Sequence, residues 1–387
     1  MKKKITIRNI VFLILLMIIV FAVLDQSLAR ILIKNTDRTF RSPHSYYHHD
    51  LLPNQKAVAS WYNIKYPFYT NSLGFRDAEI RYIPLQKNKK RILFMGDSHT
   101  EGVGVSFNET FTGQLIEKLD TSKIEILNAA AVSYSPRIYH LKTKFLVEEV
   151  GLKFDELFVF IDLSDIQNEI VYQDFEPELP GSLKKLHSGI KNRLVNNSFT
   201  LNTLSQFKQK RQTVRFLKKA AVFDEYRQKE EHVDALELYA SFFDGFNNNT
   251  LLSNPQFHGV SGWLTNENFS ELAQTGLELG KKNMLKLHQL CKEHAISMTI
   301  SVHPWQEQIN LMQPEDKYVL FWKTFADENG IGFINLYPAF INPPVSAALG
   351  MEFFIPNDNH WNKNGHWLVA NELEKYFNYQ FEFQTLK

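Results

Sequence analysis

The chain has 387 residues, 44% of them hydrophobic and 13% aromatic. That is enough apolar material for one large domain, or one domain with an insertion, and it excludes a disordered protein. Forty-three Lys and Arg stand against forty-two Asp and Glu, a net charge of +1, so the overall balance supports no nucleic-acid partner. The single Cys291 cannot form an internal disulfide, and no Cys/His cluster has zinc-ligand spacing, so no metal or other cofactor is expected.

In chain order, Lys2, Lys3, Lys4 and Arg8 precede an uncharged apolar run from Ile10 to Leu24 that Asp25 ends. Ile5 and Ile7 before it, with Leu28, Ile31 and Ile33 after it, extend the run toward membrane-spanning length. Residues 1–34 are read as an uncleaved signal-anchor; the competing reading is a signal peptide cleaved after Ser27-Leu28-Ala29. Either way the basic flank stays in the cytoplasm, which predicts a single-pass protein of the inner or plasma membrane with its main domain outside.

Beyond the anchor, strand-like runs alternate with helix-like ones. Strands are predicted at Arg91–Met95, Ile124–Ala130, Leu157–Leu163, Ile296–Val302 and Gly332–Leu336, each rich in Ile, Val, Leu or Phe and bounded by polar or turn residues. Helical patterns fall at Thr110–Leu119, Ile138–Glu149, Glu271–His294, Val319–Glu328 and Lys363–Tyr376. The order β-α-β-α-β, an insertion, then α-β-α-β-α predicts a flavodoxin-like three-layer α/β/α sandwich around a parallel five-stranded sheet. Residues 35–170 and 270–387 would form this domain.

The insertion, 171–269, is too long for a simple loop and is expected to form a helical cap. Between Leu179 and Phe223 it carries ten Lys and Arg and no acidic residue, with Leu201, Leu204, Phe207, Val214, Leu217 and Ala221 at helical spacing. Its apolar stripe is read as packing on the sheet domain; a surface for headgroups or an anionic glycan is the alternative.

Ligands in such sheets bind at the carboxyl ends of the strands. Gly96-Asp97-Ser98-His99-Thr100-Glu101-Gly102 follows the first strand directly. Gly96 permits a sharp turn, Ser98 falls at a helix N-terminus where backbone N–H groups favour negative charge, and Gly102 allows close packing. Asp162 and Ser164 close the third strand, and His303-Pro304-Trp305 the fourth. Near the C-terminus, Asp358-Asn359-His360-Trp361 puts a carboxylate and an imidazole on a loop before the last helix. A serine, a base and a carboxylate are the minimum for acyl transfer through a serine. Taken alone, the first motif is equally a strand-to-helix turn with Asp97 or Ser98 as an ordinary N-cap.

Several residues near this site have bland readings beside functional ones. Trp305 and Trp361 are candidates to stack on a sugar, or equally to pack in the core or the rim. Arg76 is a candidate to hold a substrate carboxylate, or to pair with Asp77 or Glu79, and Asp97 is a further candidate for substrate contact. His99, His303 and His366 read as structural histidines, and the pair Asp162 and Asp165 is a poor metal site without histidine nearby.

Gly96-Asp97-Ser98 with Gly102, the loop Asn128-Ala-Ala-Ala-Val-Ser133-Tyr-Ser-Pro136, Asp162-Leu-Ser164-Asp165 and Asp358-Asn-His360 together resemble the SGNH/GDSL hydrolase superfamily, over roughly residues 69–170 and 295–375. Tyr69-Thr-Asn71-Ser-Leu-Gly74-Phe-Arg76-Asp77 is similar to the lead-in of membrane-anchored bacterial members. The resemblance implies Ser98 as nucleophile, His360 as general base and Asp358 as the group that orients it. It also implies an oxyanion hole from Ser98, Ser133 and Ser164, with serines standing where the family has glycine and asparagine. Asn168 or a water is the substitute donor. The family's acid commonly lies three residues before the histidine, at Asn357 here; Asp358, two before, resembles the variant of exported polysaccharide O-acetylation proteins.

Three function classes follow: an extracytoplasmic esterase that deacylates a surface polysaccharide or related glycan, an O-acetyltransferase with the same acyl-serine and a multi-pass membrane acyltransferase as donor partner, and an impaired glycan-binding component. The esterase is the leading expectation.

Overall fold

The structure is a computed structural model that describes residues 7–33, 40–61, 63–178, 194, 198–201, 203–204, 271–310, 313–343, 352–356 and 358–384. Most of the expected helical cap lies outside the described residues.

The first described helix, α1 (Ile7–Leu28), belongs to a stretch from Arg8 to Ile31 that is long and apolar enough to cross a membrane, and its apolar residues from Ile10 to Leu24 are exposed. Two antiparallel pairs follow it. β1 (Arg41–His44) and β2 (His48–Leu51) form a hairpin, and β3 (Lys56–Trp61) pairs with β4 (Ile64–Thr70). The short β5 (Arg76–Asp77) then links β4 to the main sheet.

The main sheet is built from β6 (Lys90–Gly96), β7 (Ile124–Asn128), β8 (Glu156–Ile161), β9 (Ser297–Val302) and β10 (Gly332–Asn335), all parallel. These are the five expected strands, and their spatial order puts the second beside the first and the third on the first strand's other side, the flavodoxin-like pattern. The sheet is larger than expected: β5, β4 and β3 add antiparallel to the β7 edge and bring it to eight strands. Pro67 inside β4 hides that strand in the sequence, because proline cannot donate to a ladder. Here it sits at an exposed position of the strand, between buried Tyr66 and Phe68.

Alternation along the strands fills two cores. Leu93, Met95, Leu157, Val159, Ile161, Met298, Ile300 and Val302 face one side, under α4 (Pro136–Lys144), α6 (Glu271–Glu293) and α7 (Lys317–Asn329). Ile92, Phe94, Ile124, Ile126, Phe158 and Phe160 face the other, under α3 (Phe111–Lys118) and α8 (Lys363–Gln384). The helices therefore cover both faces, and the described strands read as near-continuous apolar runs for that reason.

α5 (Asp165–Tyr172), absent from the predicted helices, follows β8 and ends on the buried Tyr172. α6 packs on α4 and α5. Its Gly276 allows the approach, since a Cβ there would meet the Ile166 carbonyl oxygen at 2.3 Å.

Candidate active site

β6 ends at Gly96, and the chain turns at once into the one-turn helix α2 (Ser98–Glu101). Asp97 caps it by accepting the His99 N–H at 2.9 Å. Gly102 closes it in the left-handed conformation, φ 80°, where an added Cβ would meet Thr110 Cγ2 at 2.4 Å. A single turn has little macrodipole, so what it offers at Ser98 is chiefly the unpaired N–H groups of a helix start. Ser98 itself is half-buried in otherwise buried surroundings.

The C-terminal loop is fixed independently. Phe354 and Trp361 form an isolated antiparallel bridge, the Ile355 N–H donates to the His360 carbonyl at 2.8 Å, and the Asp358 N–H to the Ile355 carbonyl at 3.0 Å. Trp361 is 1% exposed and stacked on Phe340, which pins the loop into the second core.

These two segments meet. His360 Nε2 lies 2.7 Å from Ser98 Oγ, and His360 Nδ1 lies 2.7 Å from Asp358 Oδ1. A carboxylate only accepts, so Nδ1 carries the proton and Nε2 offers its lone pair to the Ser98 hydroxyl. Asp97 Oδ2 is also near Ser98 Oγ, at 3.3 Å, but the shorter bond to His360 takes the single hydroxyl proton. Burial would raise the Asp358 carboxyl; the facing His360 and hydrogen bonds from His360 and Trp61 outweigh it and hold it at about 2. Ser98, His360 and Asp358 thus form one connected chain, assembled across 262 residues of sequence.

No protein-family model and no curated protein matches the chain. Among solved structures it has distant likenesses. The psychrotrophic esterase EstA from Pseudoalteromonas sp. is 10% identical, over 76% of this chain and 100% of its own, with a TM-score of 0.38. A putative acylhydrolase from Bacteroides fragilis is 11% identical over 76% and 89%, TM-score 0.35. An acetylxylan esterase from Geobacillus stearothermophilus is 14% identical over 76% and 95%, TM-score 0.35. Likeness at these scores carries no argument about chemistry, which rests on the site's own atoms.

The strands place the expected oxyanion residues on either side of Ser98. β6 lies between β7 and β8, so Ser133 in the loop after β7 and Ser164 after β8 flank the end that carries Ser98. Ser133 has φ 60°, a left-handed conformation that favours glycine. Its neighbour Val132 is clamped from both sides: its N–H donates to Glu101 Oε2 at 2.9 Å and its carbonyl accepts from His49 Nε2 at 2.7 Å. Arg41 in turn grips Glu101 with two bonds, at 2.8 and 2.6 Å. The Ser164 N–H donates to Asp162 Oδ1 at 2.7 Å, and its hydroxyl lies 3.4 Å from Asp97 Oδ2. Asn168 is buried on α5.

The four suggested substrate contacts are all engaged by the protein itself. Trp361 is core, closed in by Phe340, His99 and His303, and has no face for a sugar. Arg76 is 1% exposed, and its guanidinium donates to the carbonyls of Glu101, Gly102 and Val105, so it braces the chain leaving α2. Asp97 is a buried cap. Trp305 is half-buried with its indole N–H committed to Asp162 Oδ2 at 2.8 Å. The expectation that Asp162 has no histidine nearby is also corrected, since His99 and His303 both reach it.

Trp61, at the end of β3, escaped the sequence reading. Its indole N–H donates to Asp358 Oδ2, and its ring sits edge-on to His360 at 4.7 Å. The contact spans 297 residues, and β3 carries no motif that announces it.

Proposed function

We propose that this protein is a membrane-anchored serine esterase of SGNH/GDSL type that deacylates an extracytoplasmic glycan, most simply by removing acetyl groups. The observation that carries the proposal is the unbroken chain Asp358, His360, Ser98, with both links at 2.7 Å. Such a chain has the geometry a serine needs to lose its proton as it attacks.

In this reading Ser98 Oγ bonds to the ester carbonyl carbon while its proton passes to His360 Nε2. Asp358 stays ionised, which suits its depressed titration, and stabilises the imidazolium. The oxyanion is met by the Ser98 and Ser133 N–H groups and by the Ser164 hydroxyl, for which Asp97 competes. Collapse breaks the ester C–O bond, and His360 returns the proton to the departing alcohol. Water, deprotonated by His360, then attacks the acyl-serine, releasing the acid and Ser98. The glycan is supported by the Asp358-x-His360-Trp361 motif, and the extracytoplasmic side by the basic flank before α1.

The test is acetate release from an acetylated glycan such as acetylxylan by the full-length protein in detergent. Ser98→Ala and His360→Ala should each lower the rate by about 10³-fold or more. A Ser98→Ala variant with wild-type turnover would remove the proposal. Acetyl recovered on an added sugar rather than in water would reassign the same acyl-serine to transfer.

A further inference from the structure

His99 follows the nucleophile in sequence, and its ring is buried between the two halves of the site. Nε2 lies 2.9 Å from the Asn359 carbonyl oxygen, which only accepts, so Nε2 carries a proton. Nδ1 lies 3.3 Å from Asp162 Oδ2 and 3.7 Å from Asp97 Oδ1, and it has no well-aligned hydrogen bond. Both ring nitrogens therefore face acceptors, an arrangement that calls for two protons and a positive charge. The ring also stacks on His360, with centroids 4.6 Å apart at 21°.

His99, Asp162 and His303 hold their ligand atoms within 4.8 Å of one another, a spacing that also suits a divalent cation. Asp162 Oδ2 decides against that occupant. It already faces the Trp305 indole N–H at 2.8 Å, which is a donor only, and His303 Nε2 at 3.0 Å. One of these neighbours cannot give up its proton, and His99 Nδ1 faces the same oxygen at 3.3 Å, so Oδ2 is set among N–H groups.

Resting on the reading of Ser98, His360 and Asp358 as the acyl-transfer triad, we propose that His99 is a positioning residue. As an imidazolium paired with Asp162, it holds the turn between Asp358 and His360 through the Asn359 carbonyl and supports the His360 ring by stacking. The charged and titratable groups around it are Asp97 before α2, Asp162 after β8, His303 after β9, His360 with Asn359 in the C-terminal loop, and His366 on α8. Burial opposes the second proton, but Asp162, helped by Asp97 and the Asn359 carbonyl, outweighs it, so the ring keeps that proton up to about 9. Burial pushes His303 the other way, below the ordinary histidine value. Because His99 is raised in the fold, its stabilising contribution is full below the ordinary histidine value of 6.5 and is lost as pH rises through about 9.

The experiment compares full-length wild type, His99→Gln and the double variant His99→Gln/Asp162→Asn in detergent. Fluorophosphonate labelling rate, kcat and KM on a soluble ester, and thermal midpoint are read from about pH 5 to about pH 10. The proposal expects His99→Gln to lower kcat and the labelling rate about tenfold, with KM within about twofold. It also expects an alkaline fall near pH 9 in the wild type that His99→Gln lacks. The double variant leaves no buried carboxylate unpaired, so it should regain thermal stability but not rate. Wild-type rates in His99→Gln, or an unchanged alkaline fall, would overturn the proposal. If His99→Gln does not fold, the double variant supplies the same comparison. If the wild type itself is not labelled, the esterase reading fails alone, and melting curves still decide on His99: a wild-type midpoint that drops past about pH 9 relative to the double variant supports the charged pair, and parallel curves refute it.

Discussion

At the residue scale, the account turns on how Asp358 is held. One of its oxygens takes the His360 N–H and the other the Trp61 indole N–H. Removing the second donor leaves the carboxylate less well fixed, and a hydrogen bond to a charged group is worth about 1.5–3 kcal/mol. Trp61→Phe keeps the ring against His360 and deletes only the N–H. Its kcat should fall about tenfold with the fold intact, as read by ester turnover beside a melting curve. An unchanged kcat would assign Trp61 to packing. Ser98, Asp358 and His360 were legible in the sequence because each sits in a short motif at a strand end or before a helix. Trp61 and the second acceptor of His99 were not, because those pairings are made by chain closure across 297 and 63 residues, respectively. Trp361 stayed open between sugar, rim and core for a related reason: the same side chain serves each, and only packing on Phe340 decides between them.

At the scale of elements, the loop from β7 to α4 shows what the site costs. Val132 is clamped by Glu101 and His49, and the next residue, Ser133, has φ 60°. A left-handed L-residue costs roughly 1–2 kcal/mol, which glycine avoids while losing up to about 1 kcal/mol in chain entropy. Ser133→Gly should therefore raise stability by about 0.5–1 kcal/mol and leave labelling at Ser98 intact, since the N–H remains. A lower melting temperature would mean that the Ser133 side chain makes a stabilising contact that outweighs the strain. The same scale separates what the sequence displayed from what it concealed. The five parallel strands are covered on both faces and therefore read as unbroken apolar runs. β3, β4 and β5 are short, partly exposed or interrupted by Pro67, and their pairing depends on an edge that the sequence does not display.

At the scale of the whole molecule, the topology explains why chemistry gathers where it does. The sheet order leaves β6 between β7 and β8, so loops from all three strands converge on one end of the sheet. α8 brings Asp358 and His360 to that same end, because the loop before it is anchored by Trp361 in the second core. The two halves of the site therefore come from opposite ends of the chain and are joined by the layer that α3 and α8 form together. α1 adds an apolar helix whose residues from Ile10 to Leu24 are exposed. The most direct test of the central claim is the intact mass of the full-length protein in detergent after exposure to a fluorophosphonate, beside its Ser98→Ala variant. The account predicts a single adduct on the wild type that maps to Ser98 and none on the variant; an unlabelled wild type, or equal labelling of both, would contradict it.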